Sequence, residues 1–218
     1  NVCGRITNFR KSGSIAFLKL KDSTGSIQLI AAKKVMAAFD TLKLYDLGDI
    51  VQVMGQVCLS KTNEKSILVR ELKLLSKAYR PMPEKWDGVS NKEIIYRQRY
   101  LDLLSNEDSV KRFKARSLML RTIRSYLERI DFIEVETPTL NTLNSGANAK
   151  PFSTHHNALD MDLFLRIAPE LNLKRLIVGG LDRVFEIGKS FRNEGLSSRH
   201  NPEFTMLEFY QAYGNFSY

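Results

Sequence analysis

The sequence has little of several features that mark particular protein classes. It contains only two cysteines, Cys3 and Cys58, in 218 residues, and two thiols do not make the disulfide framework of a small secreted domain. No segment has the length and apolarity of a membrane-spanning helix, and the first residues lack the basic start and apolar middle of a signal peptide. These absences predict a globular cytoplasmic protein without a membrane segment.

The motifs of two common nucleotide-binding folds are also missing. The sequence has no G-x-G-x-x-G and no Walker-type loop, and its strand and helix patterns do not alternate regularly. No Cys/His cluster has the spacing of metal ligands, so His155 and His156 are interpreted as a surface or core pair, and no metal site is expected in this segment. Any nucleotide must therefore be bound by another kind of fold.

The charge balance is strongly basic. The sequence has 33 Lys and Arg against 24 Asp and Glu, a formal net charge of +9. Such a balance favours polyanionic partners, because lysines and arginines neutralise phosphates and release counterions. A solvated basic surface would give the same balance, so the charge alone does not distinguish nucleic-acid binding from solubility.

The first third of the sequence predicts a small β-barrel. Short apolar alternations between turn signals indicate five strands, at residues 2–9, 15–20, 26–31, 50–57 and 67–74. A helix is predicted over residues 33–44, where apolar residues recur at helical spacing: Val35, Met36, Phe39 and Leu42. Three strands, a helix and two strands is the order of the OB-fold, which commonly binds oligonucleotides. We therefore expect residues 1–76 to form a five-stranded OB-fold domain.

The remainder predicts a linker and part of a second domain. Residues 77–104 include Pro81 and Pro83, lose clear periodicity and are interpreted as a linker. An apolar stripe from Val110 to Ile130, preceded by the capping residues Ser105 and Asn106, predicts a long helix. Shorter patterns predict a helix at 170–178 and strands at 132–136, 163–167, 184–187, 190–194 and 204–213. Consecutive strands indicate an antiparallel sheet in residues 105–218, so the whole chain is expected to be α+β.

One predicted strand combines an aromatic residue with cations. In residues 15–20 the even positions are apolar, while Phe17 shares the odd face with Lys19 and Lys21. A splayed RNA base can stack on such a ring while ammonium groups meet its phosphates. Gln28, on the polar face of the next strand, can read a base edge. The alternative is that Phe17 belongs to the barrel core.

The densest group of polar residues lies near the end of the sequence. Phe-Arg-Asn-Glu at 191–194 is followed by Arg-His-Asn-Pro-Glu-Phe-Thr at 199–205, then by Glu208 and Tyr210. If both segments are strands, Arg192 points the same way as Glu194, and Glu208 the same way as Tyr210. We therefore expect two facing strands to line one polar cleft. An arginine there can grip a phosphate, an aromatic residue can stack on a purine, and glutamates can accept an ammonium group. A surface ion pair of Arg192 with a glutamate is the alternative.

These segments resemble the class II aminoacyl-tRNA synthetases, in the variant of the lysyl-tRNA synthetases. Phe-Ile-Glu-Val-Glu-Thr-Pro at 132–138 is similar to the first class II motif, and residues 191–208 are similar to the second. Residues 96–103, 155–159 and 167–171 also resemble that family. The resemblance implies ATP-dependent activation of L-lysine to lysyl-adenylate and its transfer to tRNA(Lys), by a homodimer with an antiparallel catalytic sheet.

The resemblance also implies roles for individual residues. Arg192 would hold the α-phosphate of ATP and the lysine carboxylate. Glu194 and Asn201 would address the adenine region, His200 the terminal phosphates, and Phe204 would stack on the adenine. The lysine site would comprise Gly146, Glu170, Arg192, Glu208 and Tyr210. The anticodon would be bound by Arg10, Phe17 and Gln28.

Part of the family pattern is not found in this sequence. It begins with Asn1 rather than methionine, and the third class II motif does not occur before Tyr218. We therefore expect a segment of a longer polypeptide, incomplete for catalysis, with the Mg²⁺ ligands beyond Tyr218. Two alternatives are an aspartyl- or asparaginyl-tRNA synthetase and a non-catalytic tRNA-binding fragment. Glu208 argues against the first, because an acidic substrate side chain would require a cation at that position.

Overall fold

The computed structural model describes residues 1–80, 82 and 91–215, and the chain divides into two compact units, Asn1–Val110 and Lys111–Tyr218. The first unit contains a closed barrel whose strands are β1 (Val2–Ser12), β2 (Ile15–Lys21), β3 (Ser26–Ala32), β4 (Ile50–Leu59) and β5 (Lys65–Ser76). They are hydrogen-bonded in the order β1-β2-β3-β5-β4, and only the β3–β5 pair is parallel. The predicted five-stranded OB-fold is confirmed.

The barrel core follows the alternation of each strand. Ala16, Leu18 and Leu20 of β2 are buried together with Leu29 and Ala31 of β3, because side chains two positions apart share a face. Since β2 and β3 pair in register, their intervening residues face outward. The predicted orientation of Phe17, away from the core, is thereby confirmed.

The predicted helix over residues 33–44 is wrong in type and length. The structure has turns up to Ala38 and then a short 3₁₀ helix, Phe39–Leu44. The buried residues of this segment, Met36 before the helix and Phe39 and Leu42 within it, are spaced by three. This spacing matches the three residues per turn of a 3₁₀ helix better than the 3.6 of an α-helix. The fourth residue of the apolar pattern, Val35, is 40% exposed.

The segment interpreted as a linker contains regular structure. Residues 77–104 contain one short helix, α1 (Lys92–Arg97), and nearly all of a second, α2 (Arg99–Ser105). Pro81 and Pro83 lie outside the described residues. The Asn91 side chain accepts a hydrogen bond from the Glu93 amide at 2.9 Å and begins α1. Domain limits at 76 and 104 stay predictions, because the compact units divide after Val110.

The rest of the chain forms two small sheets and two helices. The long helix α3 (Glu107–Arg129) is followed by β6 (Ile133–Glu134), β7 (Leu140–Asn141), β8 (Ser153–His156), β9 (Met161–Leu165), α4 (Glu170–Val178), β10 (Arg183–Phe191) and β11 (Glu203–Gln211). One sheet has the order β11-β10-β6, with β10 and β11 antiparallel and β6 parallel to β10. The other has the order β7-β9-β8. Helix α4 and the antiparallel pair confirm the predicted α+β organisation.

The two strands predicted at 184–187 and 190–194 are one strand, β10, which ends at Phe191. The predicted break falls at Gly188 and Lys189, and glycine usually weakens a strand. Here the absence of a side chain at Gly188 makes room for the side chain of Arg166, because a β-carbon on Gly188 would stand 2.2 Å from Nη2 of Arg166. The predicted alternation of Arg192 and Glu194 along a strand is therefore wrong, since both follow the end of β10.

Helix α3 is confirmed, but much of its apolar stripe is exposed. Leu127 packs with Phe132 and Phe185 in a small core, while Phe113 is 51% exposed and Tyr126 is 53% exposed. A cavity of about 580 Å³ lies between this helix and β11, lined in part by Tyr126 and Phe209. In the described part of the chain, no helix is both long and apolar enough to cross a membrane.

Candidate active site and nucleic-acid interface

The outer face of the barrel brings the three predicted anticodon residues together. Register places Arg10 opposite Phe17 and Lys19 opposite Gln28 across β1, β2 and β3. The Cζ atom of Arg10 lies 5.6 Å from the centroid of the half-buried Phe17 ring, within cation–π range. These four residues line a cleft of about 310 Å³. The cleft offers a ring, two cations and an amide to a ligand.

Hydrogen bonds through Ser66 fix the orientation of the Gln28 side-chain amide. Its Nε2 donates to Oγ of Ser66 at 3.1 Å, and that hydroxyl donates to the carbonyl oxygen of Glu64 at 2.9 Å. The exposed Glu64 also lines the cleft and adds an acceptor to an otherwise basic surface. Sequence reasoning missed Glu64, because it precedes β5 and only the parallel pairing of β3 with β5 brings it beside Gln28.

In the second unit, pairing of β10 with β11 creates one polar sheet face. Glu186 lies opposite Glu208, and Ser190 lies opposite Phe204. Alternate residues of both strands therefore project together, and the opposite face carries Phe185 into the core beneath α3. The predicted common direction of Glu208 and Tyr210 is confirmed, and both residues share their face with Met206 and Glu186.

Arg192 sits at one end of this face. Its backbone N–H donates to the carbonyl oxygen of Pro202 at 2.9 Å, which ties the residue to the segment preceding β11. Its Cζ lies 5.1 Å from the centroid of the Phe204 ring. Within the described part of the chain, its buried Nε has no hydrogen-bond partner, an arrangement that costs about 1–3 kcal/mol. An anionic or carbonyl oxygen from a ligand would satisfy that donor.

The remaining residues predicted for ATP lie in the loop between β10 and β11. Glu194, His200 and Asn201 are all exposed. The loop is closed by paired backbone bonds between Ser197 and His200, and the Ser197 hydroxyl lies 2.7 Å from Nδ1 of His200. The structure thus brings Arg192 and Phe204 together and leaves these three residues on the exposed loop.

A second cluster, hereafter the ammonium cluster, joins α4 to β11. It comprises Gly146, Glu170, Lys174, Glu208 and Tyr210. The Tyr210 hydroxyl donates to Oε2 of Glu208 at 3.1 Å, and Lys174 pairs with Glu170 one turn earlier on α4. The Nζ of Lys174 lies 5.8 Å from the Tyr210 ring centroid. Gly146 has φ of +90°, and a β-carbon there would stand 3.0 Å from Cβ of Glu170. Four of the five predicted lysine-site residues are therefore gathered with a lysine of the chain, and Arg192 is the one outside the cluster.

Burial and charge tune the two acids of this cluster on β11. Burial raises the pKa of Glu208, and the hydrogen bond from Tyr210 opposes the rise, while the negative charges of Glu170 and Glu186 add to it. Burial and the neighbouring Glu208 also raise the pKa of the Tyr210 phenol. Tyr210 therefore keeps its proton and acts as a donor, and Glu208 gains from any cation that approaches it.

A buried ion pair supports the polar face and was missed by the sequence analysis. Nη1 of Arg166 lies 2.5 Å from Oε1 of Glu186, with both side chains 5% exposed or less. Arg166 also donates to the carbonyl oxygens of Thr137 and Lys189, and the Thr137 hydroxyl donates to Glu186 at 2.6 Å. The pair joins the segment after β6, the end of β9 and strand β10. No local pattern distinguishes it, because its members are distant in sequence.

The acids of this region do not form a metal site. Glu170, Glu186 and Glu208 are each engaged by a side chain, namely Lys174, Arg166 and Tyr210. Among residues 1–80, 82 and 91–215, no group of three or more His, Cys, Asp and Glu residues could hold a metal ion. These residues do not fit Mg²⁺, so no step involving that ion is derived for them.

The family assignment agrees with this architecture. The family model described as tRNA synthetases class II (D, K and N) matches residues 91–217, and that of the OB-fold nucleic acid binding domain matches residues 1–75. The chain therefore belongs to the class II tRNA synthetases of this family.

Several curated relatives match the full chain. The lysine–tRNA ligase of Herminiimonas arsenicoxydans is 53% identical over 225 residues, which cover 100% of this chain and 44% of the relative. Those of Histophilus somni and Mannheimia succiniciproducens are 54% and 52% identical over 218 residues, covering 99% of this chain and 43% of each relative. The chain thus spans less than half the length of these ligases.

Proposed function

We propose that this chain is part of a lysine–tRNA ligase that activates L-lysine with ATP and transfers it to tRNA(Lys). The observation that carries the proposal is the ammonium cluster. Glu170 and the half-buried Glu208 offer two carboxylates, and Tyr210 orients the second. L-Lysine has two ammonium groups, and the cluster offers one carboxylate to each of them, so the charges of site and ligand match. Glu170 would take the α-ammonium and Glu208 the side-chain ammonium.

ATP would be held at the other end of the polar face. The Phe204 ring would stack on the adenine, and the unpaired Nε of Arg192 would donate to an oxygen of the α-phosphate. Glu194 and Asn201 would address the adenine region, and His200 the terminal phosphates. Because these three are exposed on the loop, their contacts require ligand binding to draw the loop onto the nucleotide.

The first step of the reaction proposed for this site needs no general base, because the lysine carboxylate is already ionised. The carboxylate attacks the α-phosphorus, and pyrophosphate leaves to give lysyl-adenylate. In the second step a terminal ribose hydroxyl of tRNA attacks the lysyl carbonyl, its proton passes to the phosphate of the departing AMP, and AMP leaves. Arg192 would bridge the carboxylate and α-phosphate, so its contribution is orientation and charge neutralisation.

The barrel cleft would bind the U-rich anticodon of tRNA(Lys). A base stacked on Phe17 would lie beside the guanidinium of Arg10, and the fixed amide of Gln28 would meet a base edge. Two further properties belong to the proposal. The exposed apolar surface of α3 and β11 would be covered in a homodimer, and the protein would act in the cytoplasm.

Among the substrates of the D, K and N synthetases, the charge of the site favours lysine. An aspartyl or asparaginyl enzyme requires a cation or amide donors for the substrate side chain, whereas β11 presents the carboxylate of Glu208. Lys174 cannot serve as that cation while it pairs with Glu170.

Calorimetry on this chain tests the proposal. L-Lysine should bind measurably, whereas L-aspartate, L-asparagine and norleucine should not. In parallel, a stem-loop with a UUU anticodon should bind more tightly than the same stem-loop with CCC, at one fixed salt concentration. Equal affinity for lysine and norleucine would exclude the lysine site, and equal affinity for the two stem-loops would exclude anticodon recognition.

A further inference from the structure

Lys174 occupies the position at Glu170 that is proposed for the α-ammonium group of the substrate. Its Nζ pairs with Oε1 of Glu170 and lies over the Tyr210 ring, 5.8 Å from the centroid. In the proposed function, Glu170 receives the α-ammonium of L-lysine. A primary ammonium on an alkyl chain is thus already bound by the same carboxylate, and it belongs to the protein.

The contact of Lys174 is one that a ligand can replace. The Lys174 side chain is 55% exposed and that of Glu170 is 32% exposed. An ion pair four residues apart on an exposed helix face contributes little to stability, so its loss does not threaten α4. A lysine side chain can leave by rotation about its own bonds, without any movement of the backbone.

The charges of the cluster favour that departure. Glu186 is neutralised by Arg166, so with Glu208 ionised the cluster holds two carboxylates, Glu170 and Glu208, and one ammonium. A substrate with two ammonium groups would leave three cations facing two carboxylates if Lys174 stayed. Once Lys174 swings into solvent, each substrate ammonium has one carboxylate.

We propose, on the basis of the proposed function, that Lys174 is an internal competitor for the α-ammonium subsite, which it occupies in the free protein and vacates when L-lysine binds. Lys174 acts through Glu170 and is a positioning residue. It keeps the Glu170 carboxylate turned toward the cluster, and an incoming amine must bind Glu170 more strongly than Lys174 does in order to displace it. Amines held by only one carboxylate would be disfavoured by this competition.

Isothermal titration calorimetry of Lys174→Met and wild type tests this competition. The variant should bind L-lysine roughly two- to fivefold more tightly, the range that corresponds to a partly exposed ion pair. The gain should vanish with Nα-acetyl-lysine, which keeps the side-chain ammonium and lacks the α-ammonium. Arg175→Met removes a positive charge from the same helix, from a residue bonded to Asn172, and should bind both ligands as wild type does. An unchanged or weaker affinity of Lys174→Met for L-lysine, or an equal gain for both ligands, would overturn the proposal.

A second measurement follows Lys174 itself. In protein whose lysines are reductively ¹³C-methylated, the NMR resonance that is absent from Lys174→Met belongs to Lys174. The chemical shift of this resonance should move toward that of exposed lysines as L-lysine is added. If other resonances titrate with L-lysine while this one stays fixed, the competition is excluded and the lysine site stands. If no lysine resonance changes when L-lysine is added and calorimetry detects no binding, the proposed function is excluded, and the competition is excluded with it.

Discussion

Glu208 is the residue on which substrate selection depends most directly in the proposed site. Replacing it by glutamine keeps the hydrogen bond to Tyr210 possible but removes the charge that faces the substrate ammonium. A charge-assisted bond is worth about 1.5–3 kcal/mol, so Glu208→Gln should lose roughly that much of the preference for lysine over norleucine. Calorimetry with both ligands measures the difference.

The affinity for lysine should also depend on pH through Glu208. Burial and the nearby Glu170 and Glu186 raise its pKa, so its carboxylate takes up a proton at a higher pH than an ordinary glutamate does. Lysine affinity should therefore fall as pH drops through that raised pKa, and this dependence should be absent in Glu208→Gln. Glu203→Gln, on the opposite face of β11 and paired with Lys189, is the matched control and should keep the wild-type profile.

Phe17 should contribute a stacking energy to RNA binding. Phe17→Ala removes the ring beneath Arg10 and should weaken binding of the UUU stem-loop by about 1–3 kcal/mol, the range for one stacked base. Fluorescence anisotropy at one fixed salt concentration measures the change. Tyr79→Ala removes a 93% exposed aromatic outside the cleft and should bind as wild type. Equal losses in both variants would assign the effect to general surface contacts.

At the scale of elements, strand β10 depends on the absence of a side chain at Gly188. Gly188→Ala would place a methyl group 2.2 Å from Arg166 and 3.0 Å from Glu186, and it should displace the buried ion pair. We expect a loss of at least about 1–3 kcal/mol in the free energy of unfolding. Urea denaturation measures it against Gly195→Ala, where a β-carbon meets nothing within 4 Å. Similar stabilities would show that Arg166 has room to move.

At the scale of the whole molecule, the barrel should be an independent unit. Its core lies between Ile6 and Leu72, so residues 1–76 should fold and bind RNA alone. The fully buried Asp49, however, accepts a bond from the Ala78 amide at 2.8 Å and from Lys77 at 2.9 Å. Residues 1–80 should therefore unfold at a higher urea concentration than residues 1–76.

The advantage of the longer fragment should depend on pH. Burial opposes ionisation of Asp49, but the amides of Ala78 and Asp46 and the ammonium of Lys77 hold its pKa below the ordinary value. A lowered pKa stabilises the fold above the ordinary pKa, and this stability is lost as pH falls through the lowered one. The urea stabilities of the two fragments should therefore become equal at acidic pH. A constant difference across pH would assign the gain to chain length.

The apolar surface beside α3 should mediate self-association. Phe209→Glu would put a charge on this surface, where the wild-type ring is 57% exposed, and should shift the chain from dimer to monomer. Sedimentation velocity at several concentrations checks this result. Val178→Glu alters a still more exposed apolar residue, 89% exposed, away from that surface and should leave the dimer intact. A wild-type chain that stays monomeric would contradict the homodimer.

Local patterns were sufficient wherever structure follows from alternation or spacing along one segment. The five barrel strands, helix α3, helix α4 and the outward direction of Phe17 were all predicted, because burial of one face imposes a period on the sequence. The 3₁₀ helix at Phe39 and the unbroken strand β10 were not predicted. The spacing by three of Met36, Phe39 and Leu42 was interpreted as that of an α-helix, although it fits a 3₁₀ helix better. Strand β10 continues across Gly188 because it pairs with β11 along its whole length.

The sequence by itself determined the fold class, the family and the residue types available for binding, since these depend on patterns and motifs that are continuous along the chain. Only the tertiary structure decided which charges meet. Arg166 neutralises Glu186 across separate elements. Lys174 engages Glu170 within α4, and Tyr210 orients Glu208 within β11, but only the packing of α4 near β11 brings these two carboxylates into one cluster. Electrostatic interaction depends on distance and burial in space, so the state of each carboxylate follows from the packing of α4, β9, β10 and β11 and not from their order.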